Sequence, residues 1–262
     1  MKPRPIAGAD GCAGGWVAVL QRPGRPVEAA VFAAFADLAE AVGVDGLIAV
    51  DMPIGLPDQI GPGGRGPERL IRPLLGPRQS SVFSIPSRAA VYAEPGPFAS
   101  EVESYAAHRR ASAVALATSD PPRKISIQAF GLFDKIKEID RLLAKRPELR
   151  ARVIESHPEL AFWSLNGGRA MSLPKKVKGR VNAAGMAERR ALLRRCGLSG
   201  LVVDGAPPRG AARDDLLDAC AMFVVAQRHA AGATTPYPDP PLVDGEGIPI
   251  AIWAAAIADG RV

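Results

Sequence analysis

The segment G-L-I-A-V-D at 46–51 constrains the fold most. Its apolar residues run without alternation, and M-P-I-G-L-P ends the run immediately after Asp51. A strand apolar on both faces needs cover on both faces, as in a layered α/β fold. The carboxylate at its end is flanked by Val50 and Met52, so it is partly desolvated and needs a cation or hydrogen-bond donors.

The segments around this strand set its neighbours. Pro5–Asp10 and Trp16–Gln21 read as strands joined by the turn G-C-A-G-G, and Val27–Ala33 reads as a third after R-P-G-R-P. A short helix is predicted over Phe35–Val42. Helical spacing recurs over Phe130–Leu143, where Phe133, Ile136, Ile139, Asp140 and Leu143 fall on one face. Arg152–Ser156 reads as a fifth strand stopped by H-P, followed by helices over Ala187–Cys196 and Asp214–His229. Three sequential strands with tight turns predict an antiparallel meander, and strands separated by helices add in parallel. The expectation is an α/β fold of ribonuclease H-like type, with a mixed five-stranded sheet and flanking helices. It forms one domain over 1–262, with a long irregular or helical insertion after the fourth strand, at about 57–125. The chain holds 27 Gly and 25 Pro in 262 residues, well above average usage. Many lie at 53–97 and after Pro236, which predicts irregular loops there.

Composition narrows the chemistry. Three histidines exclude a His-rich metal site. Cys12, Cys196 and Cys220 show neither paired spacing nor a zinc pattern, which fits a reduced, cytoplasmic compartment. No apolar run reaches membrane-spanning length, so no membrane role is expected. The net charge of +6 is carried by basic residues crowded at 65–88, 109–124 and 175–195, which invites a polyanionic partner. Aromatic residues make up 5% and do not interleave with the basic ones, so a base-stacking platform is not expected. Oligomeric state is not readable.

Acids occupy equivalent places. Asp10 ends the first strand, Asp51 the fourth, and Glu155 lies near the end of the fifth. In an open α/β sheet the site lies beyond the carboxyl ends of the strands. The helix starting at Asp214 carries Asp214, Asp215 and Asp218 in its first turn and a half. The macrodipole and capping account for one or two of these, but Asp218 shares a face with both others and repels them. A bound cation or a protonated partner would offset that repulsion. Clustered carboxylates without histidine suit Mg²⁺ or Mn²⁺. Two such ions can clamp a phosphodiester and activate water. The bland alternatives are an Asx-type turn at Asp10 and acceptance of backbone N–H groups of the P-I-G-L turn at Asp51.

The stretches G-A-D-G-C-A-G-G-W (8–16), A-V-D-M-P-I-G-L-P (49–57), L-G-P-R-Q-S-S-V-F-S-I-P-S-R (75–88), E-S-H-P-E-L-A-F-W-S-L-N-G-G (155–168) and D-D-L-L-D-A (214–219) resemble one family as a set. It is the family of predicted nucleases with a ribonuclease H-like fold catalogued as domain-of-unknown-function 429. The motif D-x-x-D-A at 215–219 also resembles the last-helix acidic pair of Holliday-junction resolvases. These resemblances imply a nuclease with Asp10, Asp51, Asp215 and Asp218 as metal ligands. The first hairpin also looks like that of sugar kinases and actin, which would make it a phosphate cradle instead.

The remaining candidates are accessory. Glu155 is a catalytic candidate with Asp10, Asp51, Asp215 and Asp218, or else an ion-pair partner of Arg152 or Lys175. Arg78, Ser81 and Arg88 sit in a Ser-rich loop suited to phosphate oxygens, or merely solvated. His157 suits proton transfer or phosphate orientation, or a structural hydrogen bond. Lys175 and Lys176 suit a nucleic acid backbone or a solvated loop. Three readings follow: a metal-dependent nuclease acting on nucleic acid or another phosphoester, a nucleotide- or small-phosphate-binding protein, and a non-catalytic module retaining the fold.

Overall fold

The computed structural model describes residues 4–257. Its main feature is a seven-stranded mixed sheet in the order β3-β2-β1-β4-β5-β9-β8. The strands are β1 (Ile6–Cys12), β2 (Gly15–Gln21), β3 (Glu28–Phe32), β4 (Leu47–Asp51), β5 (Val153–Glu155), β8 (Thr234–Val243) and β9 (Pro249–Ala255), while β6 (Lys176–Val177) and β7 (Arg180–Val181) form a separate small hairpin. The helices are α1 (Phe35–Val42), α2 (Pro67–Leu75), α3 (Arg88–Val91), α4 (Glu101–Ala117), α5 (Ile127–Phe130), α6 (Phe133–Lys145), α7 (Pro158–Leu165), α8 (Ala183–Arg195), α9 (Gly200–Val203) and α10 (Arg213–Ala230).

The antiparallel meander β1–β3 and the parallel additions β4 and β5 are as the turn lengths require. The sheet is larger than five strands. β9 adds in parallel beside β5, and β8 closes that edge antiparallel to β9. β8 carries four prolines, which is why its segment reads as a loop. A strand with one neighbour has one side without ladder bonds, and there proline costs nothing. The insertion between β4 and β5 is also more regular than its Gly and Pro content predicts, since α2 and α4 lie within it.

Both faces of the sheet are covered. Ala7, Ala9, Ile48 and Val50 pack with α1, α4 and α6. Ile6, Leu47, Ala49 and Ile154 pack with α7, α8 and α10. Side chains alternate along a strand, so Asp10 and Asp51 fall on the α10 face with Ile6 and Leu47. Gly8 lies between Ile6 and Asp10 on that face. A Cβ there would stand 1.8 Å from the backbone nitrogen of Phe223, so α10 rests backbone-to-backbone on β1. Five residues back along α10 from Phe223 is Asp218, about 7.5 Å at helical rise. Two residues forward along β1 from Gly8 is Asp10, about 6.6 Å. The contact at Gly8 therefore brings Asp218 over Asp10.

Candidate metal centre

Asp10 and Asp51 are direct register partners across the parallel pair β1/β4. Asp218 reaches them from the first turns of α10, and one carboxylate oxygen from each acid lies within 4.8 Å of the other two. Among the described residues, no backbone or side-chain donor is hydrogen-bonded to the carboxylate of Asp10 or of Asp51. The N–H groups of the P-I-G-L turn go elsewhere, Ile54 to Glu155 (2.7 Å) and Leu56 to Asp244 (2.9 Å). Asp51 is therefore not the acceptor of that turn. Asp218 is buried, its Oδ2 meets the Lys175 ammonium, and its Oδ1 has no partner among the described residues.

Three acids this close are short of positive charge. Burial, then the charges of Asp51 and Asp218, hold the Asp10 carboxyl well above the usual range. Burial, then Asp218, pushes Asp51 up to about 8. Burial raises Asp218 as well, although Lys175 opposes it. Each shift lies in the direction of retaining a proton. A raised folded-state pKa contributes stability below the unfolded value and loses it as pH rises through the folded value. The metal-free protein should therefore lose stability as pH rises from about 6.5 to about 8.5, with the three acids titrating as one coupled group. That window lies above the range in which His157, lowered by burial to about 4, acts in the opposite sense. Urea unfolding in chelator at the two pH values tests this. A flat profile, or the same slope in Asp51→Asn, would refute it.

The other acids of α10 have separate duties. Asp215 accepts the Ala212 N–H (2.9 Å) and caps the helix, so it lies outside the three-acid group. Asp214 pairs with Lys176 (2.5 Å). Its carboxyl is raised by burial and lowered by Lys176, with a net shift downward. The acid-rich helix start thus resolves into an ion pair, a cap and one member of the cluster.

Glu155 does not join the cluster. It is paired in register with Val50, not with Asp51. Neighbours across a parallel pair share a face, so a one-residue offset sends Glu155 to the side opposite Asp10 and Asp51. There it receives the buried Arg65 guanidinium in two bonds, 2.7 and 3.1 Å. Arg65, not Arg152 or Lys175, is its partner. Arg65 also bonds Glu68 (2.7 Å) and the Ile54 carbonyl (2.8 Å).

A cavity of about 230 Å³ opens over the strand ends, lined in part by Asp10, Asp51, Phe83, Lys135, Ser81 and His157. Ser81 and His157 line it with Asp10 and Asp51, as do Glu155 and Arg65 from the other face, whereas Asp218 does not. The Ser81 hydroxyl donates to the Arg78 carbonyl (2.8 Å), and His157 Nε2 lies 3.4 Å from the Ser81 carbonyl. Arg78 and Arg88 do not line the cavity. Arg78 donates to the Ser172 carbonyl (3.1 Å), and Arg88 is held by Asp140 (2.6 and 2.9 Å) and Asp244 (2.9 Å). The Arg88 charge is thus balanced inside the fold by two carboxylates. Lys135 carries no sequence signal. It spans from α6 to donate to the Gly15 carbonyl (2.5 Å), with its ammonium 4.5 Å above the Trp16 ring. Glu159, buried beside the site, pairs with the buried Arg189 at 2.6 Å.

A family model described as "Protein of unknown function (DUF429)" matches residues 8–242. The chain belongs to the DUF429 family. Neither a curated protein nor a solved structure matched the chain. The DUF429 match begins at Gly8, the glycine that seats α10, and includes all three clustered acids. No helix among the described residues is long and apolar enough to cross a membrane.

Proposed function

We propose that this protein is a divalent-metal-dependent nuclease, a hydrolase of phosphodiester bonds that uses Mg²⁺ or Mn²⁺ held by Asp10, Asp51 and Asp218. The observation that carries the reading is the convergence of these three buried or half-buried carboxylates, with no hydrogen-bond donor on the Asp10 or Asp51 carboxylate among the described residues. An all-oxygen donor set suits hard cations, and the unpartnered Oδ1 of Asp218 supplies a free lone pair. When bound, such ions polarise a phosphoryl oxygen and lower the pKa of a coordinated water. The chain's own residues do the rest. The β1/β4 register fixes two donors relative to each other. Phe83 of the insertion forms part of the cavity wall, and Lys135 supplies positive charge at the cavity. The strand order β3-β2-β1-β4-β5 supports a ribonuclease H-like reading of the sheet, extended by β9 and β8. The basic segments support a nucleic acid or other phosphoester as substrate.

The phosphate-cradle reading is less favoured. The hairpin between Cys12 and Gly15 is a two-residue turn, and Gly14 spends its N–H on the Gly210 carbonyl (2.9 Å). The non-catalytic reading has one specific observation behind it, the Lys175 ammonium already on Asp218. Calorimetry with Mn²⁺ and Mg²⁺ tests the cation site, and cleavage separates the nuclease from a non-catalytic module. The wild type should bind at micromolar to low millimolar concentration, and Asp51→Asn and Asp218→Asn should each weaken binding by at least about tenfold, roughly one lost charged ligand. Cleavage assays on branched, single-stranded and hybrid substrates then define the activity. Equal binding by wild type and both variants would end the reading.

A further inference from the structure

Lys175 is placed differently from an ordinary basic loop residue. Its backbone is anchored: its carbonyl accepts the Asn182 N–H (2.8 Å), and the Asn182 side chain donates to the Pro174 carbonyl (3.0 Å). Gly185 packs so closely that a Cβ would stand 2.1 Å from the Pro174 carbonyl oxygen. The β6–β7 hairpin that follows is exposed, with its turn at Lys178 and Gly179 in the left-handed region. From this fixed root the Lys175 side chain reaches inward to Asp218. Its charge is also felt by Asp10 and Asp51, where it opposes the upward push of burial. One ammonium thus serves all three acids of the cluster, while Lys176 next to it serves Asp214 (2.5 Å).

We propose that Lys175 is the resident counter-ion of the carboxylate site, that the divalent cation displaces it from Asp218, and that the freed ammonium is then available to a phosphate oxygen of the substrate. This rests on the metal-dependent reading given above. On Asp218 one cation replaces another, and any proton held by the Asp10 or Asp51 carboxyl leaves to solvent as the metal binds. Only the four-carbon stem has to swing, since the backbone at Pro174–Lys175 is pinned. A lysine is suited to this, being a compact charge on a flexible stem. It also gives the metal-free protein a way to hold three acids together without a metal.

Two measurements test the exchange. In the first, Mn²⁺ binding is measured by calorimetry on wild type, Lys175→Met and Lys176→Met. Removing the competitor should tighten binding about tenfold, the worth of one charge-assisted hydrogen bond. Lys176→Met removes the same charge from the same segment but not from the cluster, and should change affinity by less than about threefold. In the second, acetylation of wild-type lysines is followed by mass spectrometry in chelator and in saturating Mg²⁺. Lys175 should be protected in chelator and several-fold more reactive with Mg²⁺, and in Asp218→Asn it should be reactive from the start. Binding by Lys175→Met where the wild type binds nothing would support the proposal further. Metal binding with Lys175 still protected, or equal tightening in both lysine variants, would overturn the exchange and leave the nuclease reading intact. No binding by wild type or Lys175→Met would overturn both.

Discussion

Gly8→Ala should destabilise the protein by about 3 kcal/mol or more and abolish metal binding with it. The new methyl carbon would stand 1.8 Å from Phe223 N and 2.4 Å from the Met222 carbonyl carbon. Both are backbone atoms inside α10, so no rotamer change can relieve the clash. Either α10 retreats from β1, or the sheet bends. Retreat would open the surrounding core, in which Leu216, Cys220 and Val224 of α10 are buried, and would carry Asp218 away from Asp10 and Asp51. Gly61→Ala is the control. Nothing lies within 4 Å of a Cβ at Gly61, and the expected change is within about 0.5 kcal/mol. Urea unfolding of both variants, with Mn²⁺ calorimetry on any folded fraction, measures the effect. A Gly8→Ala protein within 1 kcal/mol of wild type would mean that α10 does not lie on β1 as described.

What the sequence made readable depended on periodicity. Asp10 and Asp51 stood out because each ends an apolar strand, and Asp218 because it shares a helix face with acids it repels. Asp140 also showed on the apolar face of its helix, and it is buried against Arg88 and Tyr92. What stayed hidden depended on register or on partners far away in the chain. Glu155 looks equivalent to Asp51, and only the pairing of Val50 with Glu155 shows that it faces the other way. Arg65 sits in G-P-G-G-R-G-P, which has no period at all, so nothing marks it as buried. β8 was hidden by its prolines, which an edge position tolerates. β9 had a signal, since I-A-I-W-A-A is an apolar run much like that of β4. Lys175 was readable as a cation but not as one turned inward.

Arg65→Met should cost about 3–5 kcal/mol, because it leaves buried charges without their partner. Arg65 is almost wholly buried, as are Glu68 and Glu155, and its guanidinium is their common cation. It also bonds the carbonyls of Ile54 (2.8 Å) and Gly55 (3.2 Å), so the turn after β4 loses its anchor as well. Burial, opposed by Arg65, already holds Glu155 up at about 7. Without Arg65 it would take up a proton more readily, so the loss measured by urea unfolding should be smaller at pH 5.5 than at pH 8. Glu155→Gln provides the functional contrast. It keeps an acceptor for Ile54 N–H and leaves Arg65 paired with Glu68. If Glu155 serves the fold and not the metal, this variant should bind Mn²⁺ within about threefold of wild type, less than the tenfold step expected for a lost ligand. A folded Glu155→Gln protein that binds no metal would instead put Glu155 in the centre with Asp10, Asp51 and Asp218. The one-residue offset between β4 and β5 would then have to be crossed by the longer glutamate side chain.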